Sequence, residues 1–300
     1  MTLVIGFDSE WVYRPDQNTN HILSYQFAGN TGDDNWSGII YTEGPEHKHR
    51  LTLRGLIGRA IEAGRDAGVL GRIWPLEVYA TAHFTRADMA GFRDYPELKL
   101  QFDNVRGSYT TVGATRPYRC TYTDRSRHQR PLTIHLRDTQ HLCPGGTKLE
   151  TLGVLHGLKK IELPPGMITR MDELLRQDPE LFKAYAIRDA EIAARHLRYM
   201  IGFAEDNGLG GRVPTTIGEL AVRHLQNIWT ENSISNTDVL GTEVVRQQVC
   251  TISPQPHDPR EPHIPSETGG PCCTGHWHPP VRHGVSIHLK QLRSLHFHMH

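Results

Sequence analysis

VIGFDSEWV, residues 4–12, is a run built for the inside of a β-sheet, yet it carries two carboxylates, Asp8 and Glu10, one residue apart. Ionised carboxylates are rarely buried unless something neutralises them, and two side by side repel each other. Two readings follow: the strand ends at the surface, or a cation sits between the acids. Residues two apart on a strand face the same side. Asp8 and Glu10 therefore project together at the C-terminal end of a first strand, while Leu3, Ile5 and Phe7 face the other way, into a core. Oxygen ligands of this kind suit a hard divalent cation such as Mg²⁺.

Working outward, HILSYQFAG (21–29) and WSGIIYT (36–42) read as neighbouring strands, joined through turns rich in Gly, Asn and Asp. LTLRGLIGRAIEAGRDAGVL (51–70) has apolar residues at helical spacing. LEVYATAHF (76–84) is another strand, and TRADMAGFRDY (85–95) opens a helix after it. PYRCTYTD (117–124) and PLTIHLRDT (131–139) form a hairpin, and residues 148–157, 168–177 and 179–205 are helical. This order predicts an α/β layout with a mixed sheet. DNGLGGRVP (206–214) reads as a linker and TIGELAVRHLQNIW (216–229) as one more helix.

Bulk properties exclude some classes. The 300 residues carry 33 basic and 33 acidic side chains, so the chain is no bulk polycation, although a basic groove is compatible with neutrality. No window approaches the roughly 20 apolar residues of a membrane span. MTLVIGFDSE lacks the basic start of a secretory signal, so the expectation is a cytoplasmic protein without a membrane partner. Five scattered cysteines with no CxxC pair argue against both a disulfide framework and a zinc ribbon. Residues 251–300 hold eight of the 19 prolines and nine of the 19 histidines, and read as a poorly ordered tail. Its histidine clusters, GHWH (275–278) and HFHMH (296–300), fit no familiar ligand spacing.

Two further acids bear on the first pair. Asp88 follows the strand LEVYATAHF in the first turn of the next helix, where a carboxylate also suits the helix dipole. Sites in open α/β sheets form at the carboxyl ends of strands, which brings Asp88 to the edge occupied by Asp8 and Glu10. In YAIRD (185–189), Tyr185 and Asp189 stand four apart on a helix and share one face.

Taken together, GFDSEW (6–11), ATAHFTRADMAGF (80–92) and YAIRDAEIAARHL (185–197) resemble the three motifs of the DEDD superfamily of 3′–5′ exonucleases, in its tyrosine (DEDDy) subclass. The segment LRDTQHLCPGGTKLETLGVLHGLKK (136–160) is similar to the corresponding region of proofreading domains in family B DNA polymerases of plasmids and phages. The resemblance covers roughly residues 1–205 and implies a ribonuclease-H-like fold, with a mixed five-stranded sheet flanked by helices. It also implies a two-metal mechanism in which Asp8, Glu10, Asp88 and Asp189 hold two Mg²⁺ or Mn²⁺ ions about 4 Å apart. Tyr185 would align the attacking water; with an ordinary pKa near 10 it is not assigned as a full general base.

Trp11 is a candidate for stacking on the terminal base, with packing on the next strand as the equal alternative. His83 is a candidate nucleotide contact where family members often carry asparagine, with a structural role at the strand end as the alternative. Asp138 reads as structural, and Arg86, Arg188 and the Lys159–Lys160 pair as phosphate contacts or solvated surface. The implied substrate is a single-stranded nucleic-acid 3′ end, with DNA favoured. The alternatives are an RNA 3′-end exonuclease of the RNase D kind and a non-catalytic nucleic-acid-binding module on the same fold. The implied organisation is an exonuclease domain (1–205), a linker and helical extension (206–250) and the tail (251–300). No polymerase module is visible, so the expectation is either a stand-alone nuclease, which a polymerase partner could accompany, or an N-terminal fragment of a longer replication protein whose polymerase module is missing.

Overall fold

The computed structural model describes residues 2–112, 117–210 and 213–240, which fall within one compact unit, Met1–Glu243. The Pro/His-rich segment 251–300 lies outside the described residues. Three antiparallel strands come first: β1 (Val4–Arg14), β2 (Thr19–Asn30) and β3 (Asn35–Tyr41). Helix α1 (Leu53–Asp66) leads to β4 (Glu77–Ala82), which lies parallel to β1. Two short helices follow, α2 (Thr85–Met89) and α3 (Tyr95–Gln101). Next come a small separate hairpin, β5 (Asp103–Val105) and β6 (Ser108–Thr110), and the antiparallel pair β7 (Tyr118–Thr123) and β8 (Gln129–Asp138). Helices α4 (Leu149–Leu155), α5 (Met171–Gln177), the long α6 (Pro179–Asp206) and α7 (Ile217–Glu231) complete the unit's main elements.

The main sheet runs in the order β3-β2-β1-β4-β8-β7. The arrangement is ribonuclease-H-like, but the sheet has six strands where the resemblance implied five. The sixth is β7, which turns back on β8 through Asp124–His128, where Asp124 accepts the His128 N–H (2.8 Å) and pairs with Arg130 (2.7 Å). The helix expected over 85–95 is two pieces, α2 and α3, with Gly91 between them.

Each face of the sheet has its own core. Leu3, just before β1, and Ile5 and Phe7 within it join Val78, Ala80, Ile134 and Leu136 against Leu53, Leu56, Ile57, Ala60 and Ile61 of α1. Thr52 caps α1 by accepting the Gly55 N–H (3.1 Å), and the Trp36 indole of β3 donates to the Ala60 carbonyl (2.8 Å). The opposite face presents Val4 and Gly6 to α6, where Ala190, Ala194, Leu197 and Ile201 are buried. Alpha6 starts sharply because Asp178 caps it on Leu181 N (2.9 Å) and Pro179 follows.

The glycine-rich stretch 206–214 carries Leu209 and Val213 into this second core, beside Leu220 of α7. The fully buried guanidinium of Arg137 donates to the carbonyls of Pro214 (3.0 Å) and Val213 (3.3 Å). No described helix is long and apolar enough to cross a membrane.

Candidate active site

Beta1 does not end at Asp8 and Glu10, where its sequence placed the C-terminal end of the strand; it runs on to Arg14. Its parallel pairing with β4 is confined to Val4–Gly6, whereas its pairing with β2 continues along its length. Asp8 and Glu10 therefore lie mid-strand in β1 but beyond its last pairing with β4, where the sheet opens. A bulge between Glu10 and Trp11 shifts the register with β2. Bulges of this kind re-aim side chains beside functional sites.

Across the opening stands α6. Gly6 makes this possible: a Cβ there would lie 2.2 Å from the Ala190 carbonyl oxygen and 2.9 Å from Ala194 Cβ. The close approach brings Asp189 to the two acids of β1. Carboxylate oxygens from Asp8, Glu10 and Asp189 all lie within 4.8 Å of one another. Asp88 joins from the third side, its carboxyl sharing a hydrogen bond with that of Asp8. Its Oδ1 also accepts the Ser9 N–H (3.2 Å) and hydroxyl (3.1 Å). Asp88 thus binds to β1 rather than capping its own helix.

A second, fully buried acid fixes α2. Asp138, at the end of β8, accepts Phe84 N (3.0 Å), Thr85 N (2.9 Å) and Gln140 N (2.9 Å), together with the Ser108 hydroxyl. It holds the turn in which Phe84 takes the left-handed conformation (φ 70°) before α2 begins. That is the structural role its sequence position suggested.

The electrostatics follow from crowding acids in a partly dry cleft. Burial, then Asp88 and Asp189, pushes the Asp8 carboxyl well above the usual range. Burial, then Asp8 and Asp189, does the same to Glu10. Burial pushes Asp88 up to about 7, against the hydrogen bonds from Asp8 and Ser9. Asp189 is also raised by burial, with Lys160 opposing.

Lys160 is the residue that sequence reasoning undervalued. Its ammonium lies 2.6 Å from Asp189 Oδ2 and 5.1 Å from the centre of the Tyr185 ring. Burial works against its charge, but Asp189 and then Tyr185 outweigh that and raise its pKa. Burial and the Asp189 charge push the Tyr185 hydroxyl up to about 12. Lys160 comes from an irregular segment after α4, so no periodicity marked it out; its neighbour Lys159 is exposed and pairs with Glu162 (3.0 Å).

The remaining sequence candidates separate. Trp11 is 41% exposed, so its side chain is not absorbed by the neighbouring strand. His83 is half-buried, its Nδ1 is 2.8 Å from the Thr139 hydroxyl, and burial lowers its pKa. Arg188 is committed to Glu191 (3.1 Å) and the Lys159 carbonyl (3.1 Å).

Four carboxylates, one ammonium and a tyrosine hydroxyl thus meet where β1, α2 and α6 converge. The oxygen-only donor set fits a hard divalent cation, and Asp189 Oδ1 is buried without a hydrogen-bond partner. No protein-family model matches the chain. Over 274 residues it is 33% identical to the primer-independent DNA polymerase PolB of Escherichia coli, a match covering 85% of this chain and 31% of that polymerase. The chain spans about a third of the length of that curated relative, and it is homologous to part of a DNA polymerase.

Proposed function

We propose that this chain is a metal-dependent 3′–5′ exonuclease that hydrolyses the terminal phosphodiester of single-stranded DNA, as the proofreading part of a family B polymerase or in partnership with one. The observation that carries this reading is the convergence of Asp8, Glu10 and Asp189 oxygens within 4.8 Å, with Asp88 hydrogen-bonded to Asp8. The order of these acids along the chain, with Tyr185 one helical turn before Asp189, supports the tyrosine subclass.

Asp8, Glu10, Asp88 and Asp189 would hold two Mg²⁺ or Mn²⁺ ions, which when bound supply an activated water and stabilise the departing 3′ oxygen. Tyr185 stays protonated at neutral pH, so its hydroxyl donates a hydrogen bond and aligns the attacking water instead of taking its proton. Lys160 favours the ionised form of Asp189 against its burial and lies against the Tyr185 ring. DNA is preferred over RNA because the homologous protein is named as a DNA polymerase. The residues that carry this chemistry fall between Asp8 and Asp189.

The test uses matched 5′-labelled single-stranded DNA and RNA oligonucleotides with Mg²⁺ or Mn²⁺. The expected result is shortening of the DNA from its 3′ end. Asp8→Ala and Asp189→Ala should reduce the rate by at least about 100-fold, and Tyr185→Phe by about 10–100-fold, as loss of alignment does. Intact oligonucleotides with wild-type protein in both metals would remove the nuclease reading. Faster loss of RNA than DNA would reassign the substrate.

A further inference from the structure

The β5–β6 hairpin is attached to α2, the helix that carries Asp88, and plays no part in the chemistry described above. Its strands are only three residues each, joined by Arg106 and Gly107. Both turn residues have positive φ, 50° and 83°, the signature of a type I′ turn. Asn, Asp or Gly favours the first of these positions, yet an exposed arginine occupies it. The hairpin is not loosely attached. Ser108 Oγ lies 2.9 Å from Thr85 Oγ1 and accepts the Arg86 N–H (3.3 Å). Thr85 Oγ1 donates to the Tyr109 carbonyl (2.6 Å), and His141 Nε2 lies 3.0 Å from the Val105 carbonyl oxygen. Strand β6 is therefore fixed to α2, the helix that presents Asp88.

Arg86, also exposed, leaves α2 on the side of the hairpin: a Cβ at Gly107 would stand 3.8 Å from its Nη1. Two guanidinium groups thus flank one turn. Neither makes an ion pair or a side-chain hydrogen bond among the described residues. Phe84, 40% exposed with φ 70°, sits at the same junction, held by Asp138. A pair of uncommitted cations beside an exposed aromatic ring matches the backbone and bases of a single strand.

We propose that the β5–β6 hairpin is a strand guide: Arg106 and Arg86 bind phosphates of a single-stranded nucleic acid, and Phe84 stacks on one of its bases, upstream of the end held at the carboxylates. The proposal rests on the nuclease reading of the acidic site, but its test does not require cleavage. A fluorescein-labelled single-stranded DNA oligonucleotide is titrated with wild-type protein in Ca²⁺, which occupies carboxylate sites without supporting turnover, and anisotropy is read between 50 and 200 mM salt.

The double variant Arg86→Ala/Arg106→Ala should bind about tenfold more weakly, and its slope of log Kd against log salt should fall by roughly 1.4, two phosphate contacts at ~0.7 each. Arg106→Lys, which keeps the charge, should recover most of the affinity. Arg59→Ala, an exposed arginine on α1, should bind as wild type. An unchanged salt slope in the double variant overturns the proposal, as does wild-type protein that does not bind the oligonucleotide. Binding without cleavage in Mg²⁺ would instead remove the nuclease reading and leave the strand guide standing.

Discussion

Asp88 shows what the acidic cluster does to the metal-free fold. Burial takes its carboxyl from an ordinary 3.8 to about 7, and Asp8 and Glu10 move the same way. A folded pKa above the unfolded one means that the folded chain holds the proton more tightly. For Asp88 the resulting destabilisation is absent below about pH 3.8, grows between 3.8 and 7, and is complete above 7. Neutralising one member should therefore stabilise the apo protein. In EDTA at pH 8, Asp8→Asn is expected to raise Tm by about 2–6 °C, equivalent to roughly 1–2 kcal/mol in a unit of this size. The gain should shrink as the pH falls towards 5. Added Mn²⁺ should raise the wild-type Tm by mass action and leave Asp8→Asn nearly unmoved. A Tm gain of the same size at pH 5 and pH 8 would show that crowded charge is not its source. The convergence of these acids was legible because Asp8 and Glu10 are i, i+2 on a strand, Asp189 stands i+4 from Tyr185 on a helix, and Asp88 follows the carboxyl end of a neighbouring strand. Lys160 was not, because an irregular loop has no period to read.

At the scale of elements, the site depends on how closely α6 lies on β1. Gly6 is the contact point, and a Cβ there would overlap both the Ala190 carbonyl oxygen (2.2 Å) and Ala194 N (2.8 Å). Both neighbours are backbone, so neither can rotate away; the helix must move. Beta1 carries Asp8 and Glu10, and α6 carries Asp189, so any separation of the two elements opens the carboxylate cluster. Gly6→Ala should cost about 1–3 kcal/mol of stability, the range for overpacking, and should weaken the Mn²⁺-dependent rise in Tm. An unchanged melting curve with the full Mn²⁺ response would show that the helix yields without disturbing the site. The two elements themselves were readable, β1 from its apolar run and α6 from its apolar spacing around Tyr185 and Asp189. The extension of β1 to Arg14 was not, because the charges of Asp8, Glu10 and Arg14 interrupt the apolar run and the segment gains its strand form from pairing with β2. The β5–β6 hairpin was also missed. DNVRGSYT has no apolar alternation, and hydroxyl and carboxylate hydrogen bonds among Thr85, Ser108 and Asp138 attach it to α2.

At the scale of the whole molecule, the question is where the folding unit ends. Sequence composition placed a boundary near residue 205, because the glycines of 206–214 look like a linker. In the fold, Leu209, Val213 and Leu220 are buried in the same core as Val4, Ala28 and Leu197, and Arg137 donates to carbonyls at 213 and 214. Glycine content misleads here because the stretch does not bridge two bodies; it turns the chain back onto the sheet. Three buried aliphatic side chains contribute about 1.5–3 kcal/mol each, an upper bound of roughly 5–9 kcal/mol together, which is comparable with the total stability of an ordinary domain. A chain ending at 205 would also leave the fully buried Arg137 guanidinium without two of its acceptors. The 1–205 fragment should therefore be marginally folded, melting at least about 10 °C below the 1–240 fragment, and it should lose the Mn²⁺ response, since Val4 of β1 and Ala190 of α6 share that core. Thermal melting of the two fragments side by side decides the matter. Equal Tm values would place the carboxylate cluster in a unit that is complete by residue 205 and make the α7 segment an appendage.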